Sequence, residues 1–215
     1  SGAVVPFVEG ALSNGREPMN RSAVIFDMDG TLTEPYLDFD ALRAEVGVEG
    51  PVLEAMGQMD PASRERAEAA LLRYEREAAE NATLQDGAVE VIDALRAKGH
   101  PIAILTRNAR ATVDLVLKNH GITVDALRTR EDGAIKPSPE PVLSICEELD
   151  ADPRRSWMVG DYLFDIMSGR AAGTHTVLMV GDKPMPKFAD QADYVIRRLA
   201  ELLTIVEQNR IVNGK

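Results

Sequence analysis

The stretch Asp27-Met28-Asp29-Gly30-Thr31-Leu32-Thr33, directly behind Ala23-Val24-Ile25-Phe26, decides how this chain reads. Four apolar residues, β-branched and aromatic among them, followed by an acidic segment and a glycine, predict a buried strand ending in a tight loop. Asp27 and Asp29 stand two apart, and in an extended chain residues i and i+2 point to the same side. Both carboxylates can therefore face one reaction centre. Two acids held side by side raise each other's pKa unless a cation or a substrate charge intervenes. The spacing suits a bound Mg²⁺, with one carboxylate left as nucleophile and the other as proton carrier. A plain acidic turn would use the same residue types, because Asp and Gly are ordinary turn formers.

Three further signals follow in order. Thr106 ends the run Pro101-Ile102-Ala103-Ile104-Leu105 and precedes Arg107-Asn108. Lys136 stands in Lys136-Pro137-Ser138-Pro139, ahead of a helical pattern. Gly160-Asp161-Tyr162-Leu163-Phe164-Asp165 follows the strand-like Trp157-Met158-Val159. Each has a plain structural reading when taken alone. Thr106 can cap a helix, Lys136 can be a solvated loop charge, and Asp161 and Asp165 can open a helix whose dipole favours acids. Against the last, four carboxylates on one strand edge call for a cation, and hard oxygen ligands point to Mg²⁺. Asp161 is expected to ligate directly, and Asp165 either directly or through water.

The ordered set resembles the haloacid dehalogenase superfamily of phosphohydrolases, from about residue 22 to residue 207. The strand Ala192-Asp193-Tyr194-Val195-Ile196 and the helix Leu199-Ala200-Glu201-Leu202-Leu203 are similar to the end of phosphoglycolate phosphatase-like members. The resemblance implies that Asp27 attacks phosphorus and forms an aspartyl-phosphate, which splits hydrolysis into two easier displacements. It implies that Asp29 protonates the leaving oxygen and then deprotonates water. It makes Asp27, Asp29 (through its backbone carbonyl), Asp161 and Asp165 the Mg²⁺ set. Thr106, Arg107 and Asn108 become phosphate-binding residues, and Lys136 neutralises charge on Asp27 and the phosphate.

Composition narrows the class. A chain of 215 residues with 45% apolar content has room for one large domain, or a domain plus a small insertion. No apolar run is long enough to cross a bilayer, and the start lacks a charged segment followed by an apolar one. A formal net charge of −11 argues against nucleic-acid or anionic-membrane partners. The single cysteine, Cys146, excludes an intramolecular disulfide and reads as a buried helical thiol. A cytoplasmic location is the resulting expectation. His100, His120 and His175 show no metal-ligand spacing.

The pattern divides the chain into three parts. Ser1-Gly2 reads as a cloning scar and residues 1–20 as a loose arm. Residues 35–82 form an all-helical insertion, with helices expected over 39–46 and 61–81 and a short piece at 51–59. Residues 21–34 and 83–215 form the core. There, helices at 87–98, 109–119, 138–149 and 163–172 alternate with strands at 101–106, 124–128, 156–160, 175–180 and 193–196. Such alternation predicts an α/β fold, a Rossmann-like parallel sheet with helices on both faces, whose ligands bind at the strands' carboxyl ends.

Within the superfamily the residues favour a phosphatase. A dehalogenase has no need of Asp29. A phosphonatase takes a Schiff-base lysine from its insertion, and residues 34–97 contain none. A short, Ala-rich insertion disfavours a phosphomutase of sugar phosphates, and the intact motifs disfavour a non-catalytic phosphate-binding module. A receiver-like signalling domain would lack the insertion. The expected partner is a small phosphorylated metabolite, phosphoglycolate-like by resemblance, although Glu34-Pro35 replaces the Asp-Ser usual there. The insertion is expected to act as a mobile lid over a small anionic phosphoester, with Tyr162 near the opening. Among its arginines, Arg43 is expected to contact the substrate, having fewer acidic neighbours than Arg64, Arg66, Arg73 and Arg76.

Overall fold

The strand behind the first acidic motif is β1 (Val24–Phe26), and it lies inside the sheet, hydrogen-bonded on both sides. A computed structural model describes residues 21–213; the expected arm over 1–20 lies outside them. Ile25 is in register with Ala103 of β2 (Ile102–Leu105) and with Met158 of β4 (Trp157–Gly160). With β3 (Ala126–Arg128), β5 (His175–Met179) and β6 (Tyr194–Ile196), the sheet has six parallel strands in the order β3-β2-β1-β4-β5-β6. The chain builds outward from β1 to β3, then returns to the other side of β1. That reversal opens a crevice at the carboxyl ends of β1 and β4, where ligands bind in open sheets of this kind.

Residues of β1 alternate between two cores, as the two-residue period requires. Val24 and Phe26 pack with Val91 and Leu95 of α4 (Ala88–Ala97), Val113 of α5 (Arg110–His120) and Leu202 of α8 (Ala200–Asn213). Ile25 faces Val142 and Ile145 of α6 (Glu140–Glu148) and Ala172 of α7 (Leu163–Ala172). The fold class read from the alternation is therefore the one observed. Most elements end within a residue or two of their expected limits; the piece expected over 51–59 is helical only at Val52–Met56, and the last helix runs past Leu203 to Asn213. Among the described residues, no helix is long and apolar enough to cross a membrane.

Between β1 and α4 the chain forms α1 (Phe39–Val46), α2 (Val52–Met56) and α3 (Pro61–Glu80). Asp38 accepts from Ala41 N, and Asp60 from Ala62 N and Ser63 N, so side chains satisfy the first amides of α1 and α3. These helices bury a small core of their own, centred on Leu42, Val52, Met56, Ala67 and Leu71. Where the segment leaves and rejoins the sheet, its two ends pair. Glu34 N donates to Thr83 O at 2.8 Å and Gln85 N to Leu32 O at 2.9 Å, flanking an antiparallel bridge between Thr33 and Leu84.

Candidate active site

Asp27 is the first residue beyond β1, held there by its own N–H, which donates to Val159 O of β4 at 2.8 Å. It lies at one end of a cavity of about 530 Å³ between the strand ends and the helical insertion. Lys136, on the loop after β3, is 3% exposed and spends its three donors on Asp27 Oδ1 at 2.5 Å, Asp165 Oδ1 at 2.6 Å and Leu105 O at 2.9 Å. That removes the solvated-loop reading. Burial alone would lower the Lys136 pKa, but the charges of Asp165 and Asp27 outweigh it and hold the ammonium firmly protonated.

Asp165 is the first-turn acid of α7 and also faces the site. Its Oδ2 accepts from Tyr162 N at 2.9 Å, closing the first turn of α7, while Oδ1 meets Lys136. Its side chain occupies the space beside Gly160, where any Cβ would overlap it. Asp161 is placed by a second glycine. Gly30 has φ +78° and a Cβ there would overlap the Asp161 carboxylate, so the loop after β1 can approach β4 only with glycine at this point.

Carboxylate oxygens of Asp27, Asp161 and Asp165 lie within 4.8 Å of one another. Burial raises the pKa of Asp27 well above the ordinary carboxylate value; Lys136 opposes this, and repulsion from Asp165, Asp161 and Asp29 adds to it. Asp161 is raised by burial and by Asp165. Among the described residues two lysines face this group, Lys136 and Lys183, the latter donating to Asp161 Oδ2 at 3.0 Å. A hard-oxygen set with negative charge in excess fits a divalent cation such as Mg²⁺.

The Asp29 carboxylate is not part of that cluster. It turns to Asn108, whose Nδ2 donates to Asp29 Oδ2 at 2.5 Å. Burial raises its pKa, and the Asn108 bond works against the rise. Thr106 is buried, and its Oγ1 accepts from Asn108 N at 3.2 Å, so it braces the loop and does not cap α5. Carboxylates from elsewhere serve that helix start: Glu75 Oε2 accepts from Ala109 N at 3.2 Å and Glu131 Oε2 from Arg110 N at 3.1 Å. Arg107 points toward the insertion. Its Nη2 reaches both Glu54 oxygens at 2.7 and 2.6 Å, and its guanidinium lies 4.8 Å from the Phe164 ring centre.

Arg43 does line the cavity, but the reason for choosing it fails. Its Nη2 donates to Asp40 Oδ1 at 2.5 Å, an acidic partner one turn back on the same helix. Tyr162 is 53% exposed and borders the cavity with Phe164, as expected of a residue near the opening. Three participants were missed in the sequence. Lys183 follows β5, and the rule that loops at strand carboxyl ends build the site would have pointed to it. Glu75 stands four residues after Leu71 and three before Ala78, on the buried stripe of α3. Its partner Arg130, which also donates to Arg107 O at 3.3 Å, carries no signal of its own.

Residues 22–173 match the family described as haloacid dehalogenase-like hydrolase. Over 209 residues the chain is 29% identical to a haloacid dehalogenase-like hydrolase domain-containing protein of Arabidopsis thaliana, covering 88% of this chain and 85% of that one. It is 32% identical over 198 residues to an uncharacterized hydrolase of Saccharomyces cerevisiae, covering 86% and 90%. The pyrophosphatase PpaX of Bacillus mycoides is 35% identical over 130 residues, 58% of this chain and 59% of that protein. Among solved structures, a hydrolase from Pseudomonas syringae superposes with a TM-score of 0.74 at 18% identity, covering 87% of this chain and 99% of that one. A predicted phosphoglycolate phosphatase from Haemophilus somnus does so at 0.69 and 20%, covering 86% and 97%. These last two share the fold. With a family match over most of its length and an acidic cluster at the sheet's crevice, the chain belongs to the haloacid dehalogenase-like hydrolases.

Proposed function

We propose that this hydrolase is a Mg²⁺-dependent phosphatase that cleaves a small phosphate monoester through an aspartyl-phosphate on Asp27. The observation that carries the reading is the Asp27–Lys136 pair at the end of the cavity, with Asp161 and Asp165 beside it. The Asp27 carboxylate oxygen attacks phosphorus, the bond to the leaving oxygen breaks, and Asp29 donates a proton to that oxygen. Asp29 then takes a proton from water as the water attacks phosphorus, which frees phosphate and restores Asp27. Burial that raises the Asp29 pKa suits it to the first proton transfer, and Asn108 aims its carboxyl group. Lys136 opposes the rise that burial imposes on the Asp27 pKa, and its charge offsets that of the incoming phosphate.

Asp27 and Asp161 are the side chains that would hold Mg²⁺, with the Asp29 backbone carbonyl; Asp165, both oxygens engaged, would contribute through water. Bound there, the ion supplies positive charge beside the phosphoryl oxygens. Thr106 and Asn108 shape the phosphate end of the cavity. Residues 35–82 act as the lid, and Arg43 forms part of its inner wall.

The test is phosphate release from para-nitrophenyl phosphate, with and without Mg²⁺, by the wild type and Asp27→Asn. The expected loss in the variant exceeds about a hundredfold with the circular dichroism spectrum unchanged, because Asn is nearly isosteric but a poor nucleophile. A variant keeping more than that fraction of the rate overturns the nucleophile assignment.

A further inference from the structure

The cavity that begins at Asp27 changes character toward the insertion. Tyr36, Leu37, Phe39, Val52, Leu53 and Leu71 all line it from that side. Tyr36 and Phe39 are 49% and 47% exposed, large rings left facing open space beside a catalytic cleft. On the core side Tyr162 and Phe164 continue the surface, ring centres 5.1 Å apart and edge to face.

Charge is distributed in the opposite sense. Among the described residues, the cationic side chains that line the cavity are Arg43, Arg107, Lys136 and Lys183. Each already has a carboxylate: Asp40 for Arg43, Glu54 for Arg107, Asp27 and Asp165 for Lys136, and Asp161 for Lys183. Both lysines belong to the phosphoryl end. Toward the insertion Arg107 is held by two carboxylate oxygens of Glu54 and lies over Phe164. A second anionic group placed there would give up hydration without gaining a cation. An apolar group would cover rings that now face water, and burial of such surface is favourable.

Building on the phosphatase reading, we propose that the substrate is a phosphate monoester of an uncharged aliphatic or aromatic alcohol, its organic part seated against Phe39, Tyr36 and Leu53. A phosphoglycolate-like or pyrophosphate-like compound, with a second anion at the far end, is a poor fit. The volume of about 530 Å³ holds a phosphoryl group together with an organic part of at least one ring, since roughly 300–1,000 Å³ is usual for small-molecule sites. This differs from the small anionic phosphoester expected from the sequence.

The experiment measures kcat/KM with Mg²⁺ for methyl, propyl and hexyl phosphate, cyclohexyl phosphate, phosphoglycolate and pyrophosphate. The simple alkyl esters have leaving groups of similar basicity, so their order reports binding of the organic part. The expected result is a rise of about threefold to fourfold per methylene until the wall is covered, with cyclohexyl phosphate at least tenfold above phosphoglycolate. Phe39→Ala should flatten that rise, whereas Phe39→Leu should keep most of it. A flat series, or phosphoglycolate or pyrophosphate as the best substrate, overturns the apolar assignment while leaving the phosphatase reading in place. No phosphate release from any ester, para-nitrophenyl phosphate included, overturns both.

Discussion

Glu75 of α3 and Arg130, 55 residues further on, form an ion pair in which the glutamate is 2% exposed and the arginine side chain 19%. The same carboxylate accepts from Ala109 N, one residue past Asn108. One side chain of the insertion thus fixes the loop that presents Asn108 to Asp29. Removing it leaves Arg130 and the Ala109 amide short of a partner. Glu75→Ala is therefore expected to cost about 2–4 kcal/mol in urea unfolding, below the full cost of breaking a buried pair because Arg130 keeps some water contact. Arg130→Met in the same background should recover part of that loss. A Glu75→Ala cost under about 0.5 kcal/mol would show the pair to be incidental.

The pair also predicts a pH dependence. Burial raises the Glu75 pKa above its ordinary value, and Arg130 only partly opposes this. A carboxyl group raised on folding contributes stability that is fully present below its unfolded pKa and is lost as pH rises through the folded value. Wild type should therefore lose ground to Glu75→Gln as pH rises from about 4 toward neutrality, read as the difference in urea midpoints. A difference that grows in the opposite direction would mean that Arg130 dominates.

Asp29 and Asp27 are separated by their partners, Asn108 for one and Lys136 for the other. If Asp29 carries the proton, Asp29→Asn should slow cleavage of an alkyl phosphate far more than that of para-nitrophenyl phosphate, whose leaving group needs no proton. The gap should be at least about tenfold, within the range attributed to general acid catalysis. Equal losses on the two esters would leave Asp29 a structural or metal-positioning role.

Metal affinity should follow Asp161. Asp161→Asn is expected to raise the Mg²⁺ concentration for half-maximal rate by at least tenfold, while EDTA abolishes wild-type activity. Ca²⁺ should support little turnover, since its looser coordination misplaces the attacking and leaving oxygens. An unchanged Mg²⁺ requirement in Asp161→Asn would remove it from the ligand set.

Cys146 offers a probe of folding that leaves the site untouched. It is fully buried on α6, and burial pushes its thiol pKa up to about 11. Native protein at pH 8 should resist alkylation by iodoacetamide, and labelling should track unfolding in urea. Rapid labelling without denaturant would show that α6 opens locally.

The sheet and its helices were legible because their signals are local. Apolar runs such as Pro101–Leu105 stop at loops, glycines such as Gly121 and Gly173 end helices, and the ordered acidic, Thr and Lys positions fall at strand ends. The proximity of Lys136 to Asp27 followed from that order. What stayed hidden depends on partners distant in sequence. The pairing of the Arg107 side chain with Glu54 has no local signal, and Arg43 looks available until its rotamer meets Asp40. Glu75 sat in plain helical period, yet a glutamate on an arginine-rich helix reads first as a surface residue. Composition likewise did not reveal the apolar lining, because Tyr36, Phe39 and Leu53 converge only when α1 and α2 fold over the crevice.

The paired segment around Thr33 and Leu84 bears on how such proteins change over evolutionary time. Because departure and return sit side by side, the 35–82 segment is topologically a hairpin loop of the core, whatever its length. Long loops of this kind add little closure entropy, and the β1 register, set by β2 and β4, does not depend on what the hairpin carries. A descendant that exchanges these helices for another module can keep Asp27 and Asp161 in place, but it must also replace Glu75, whose carboxylate holds the loop that presents Asn108 to Asp29.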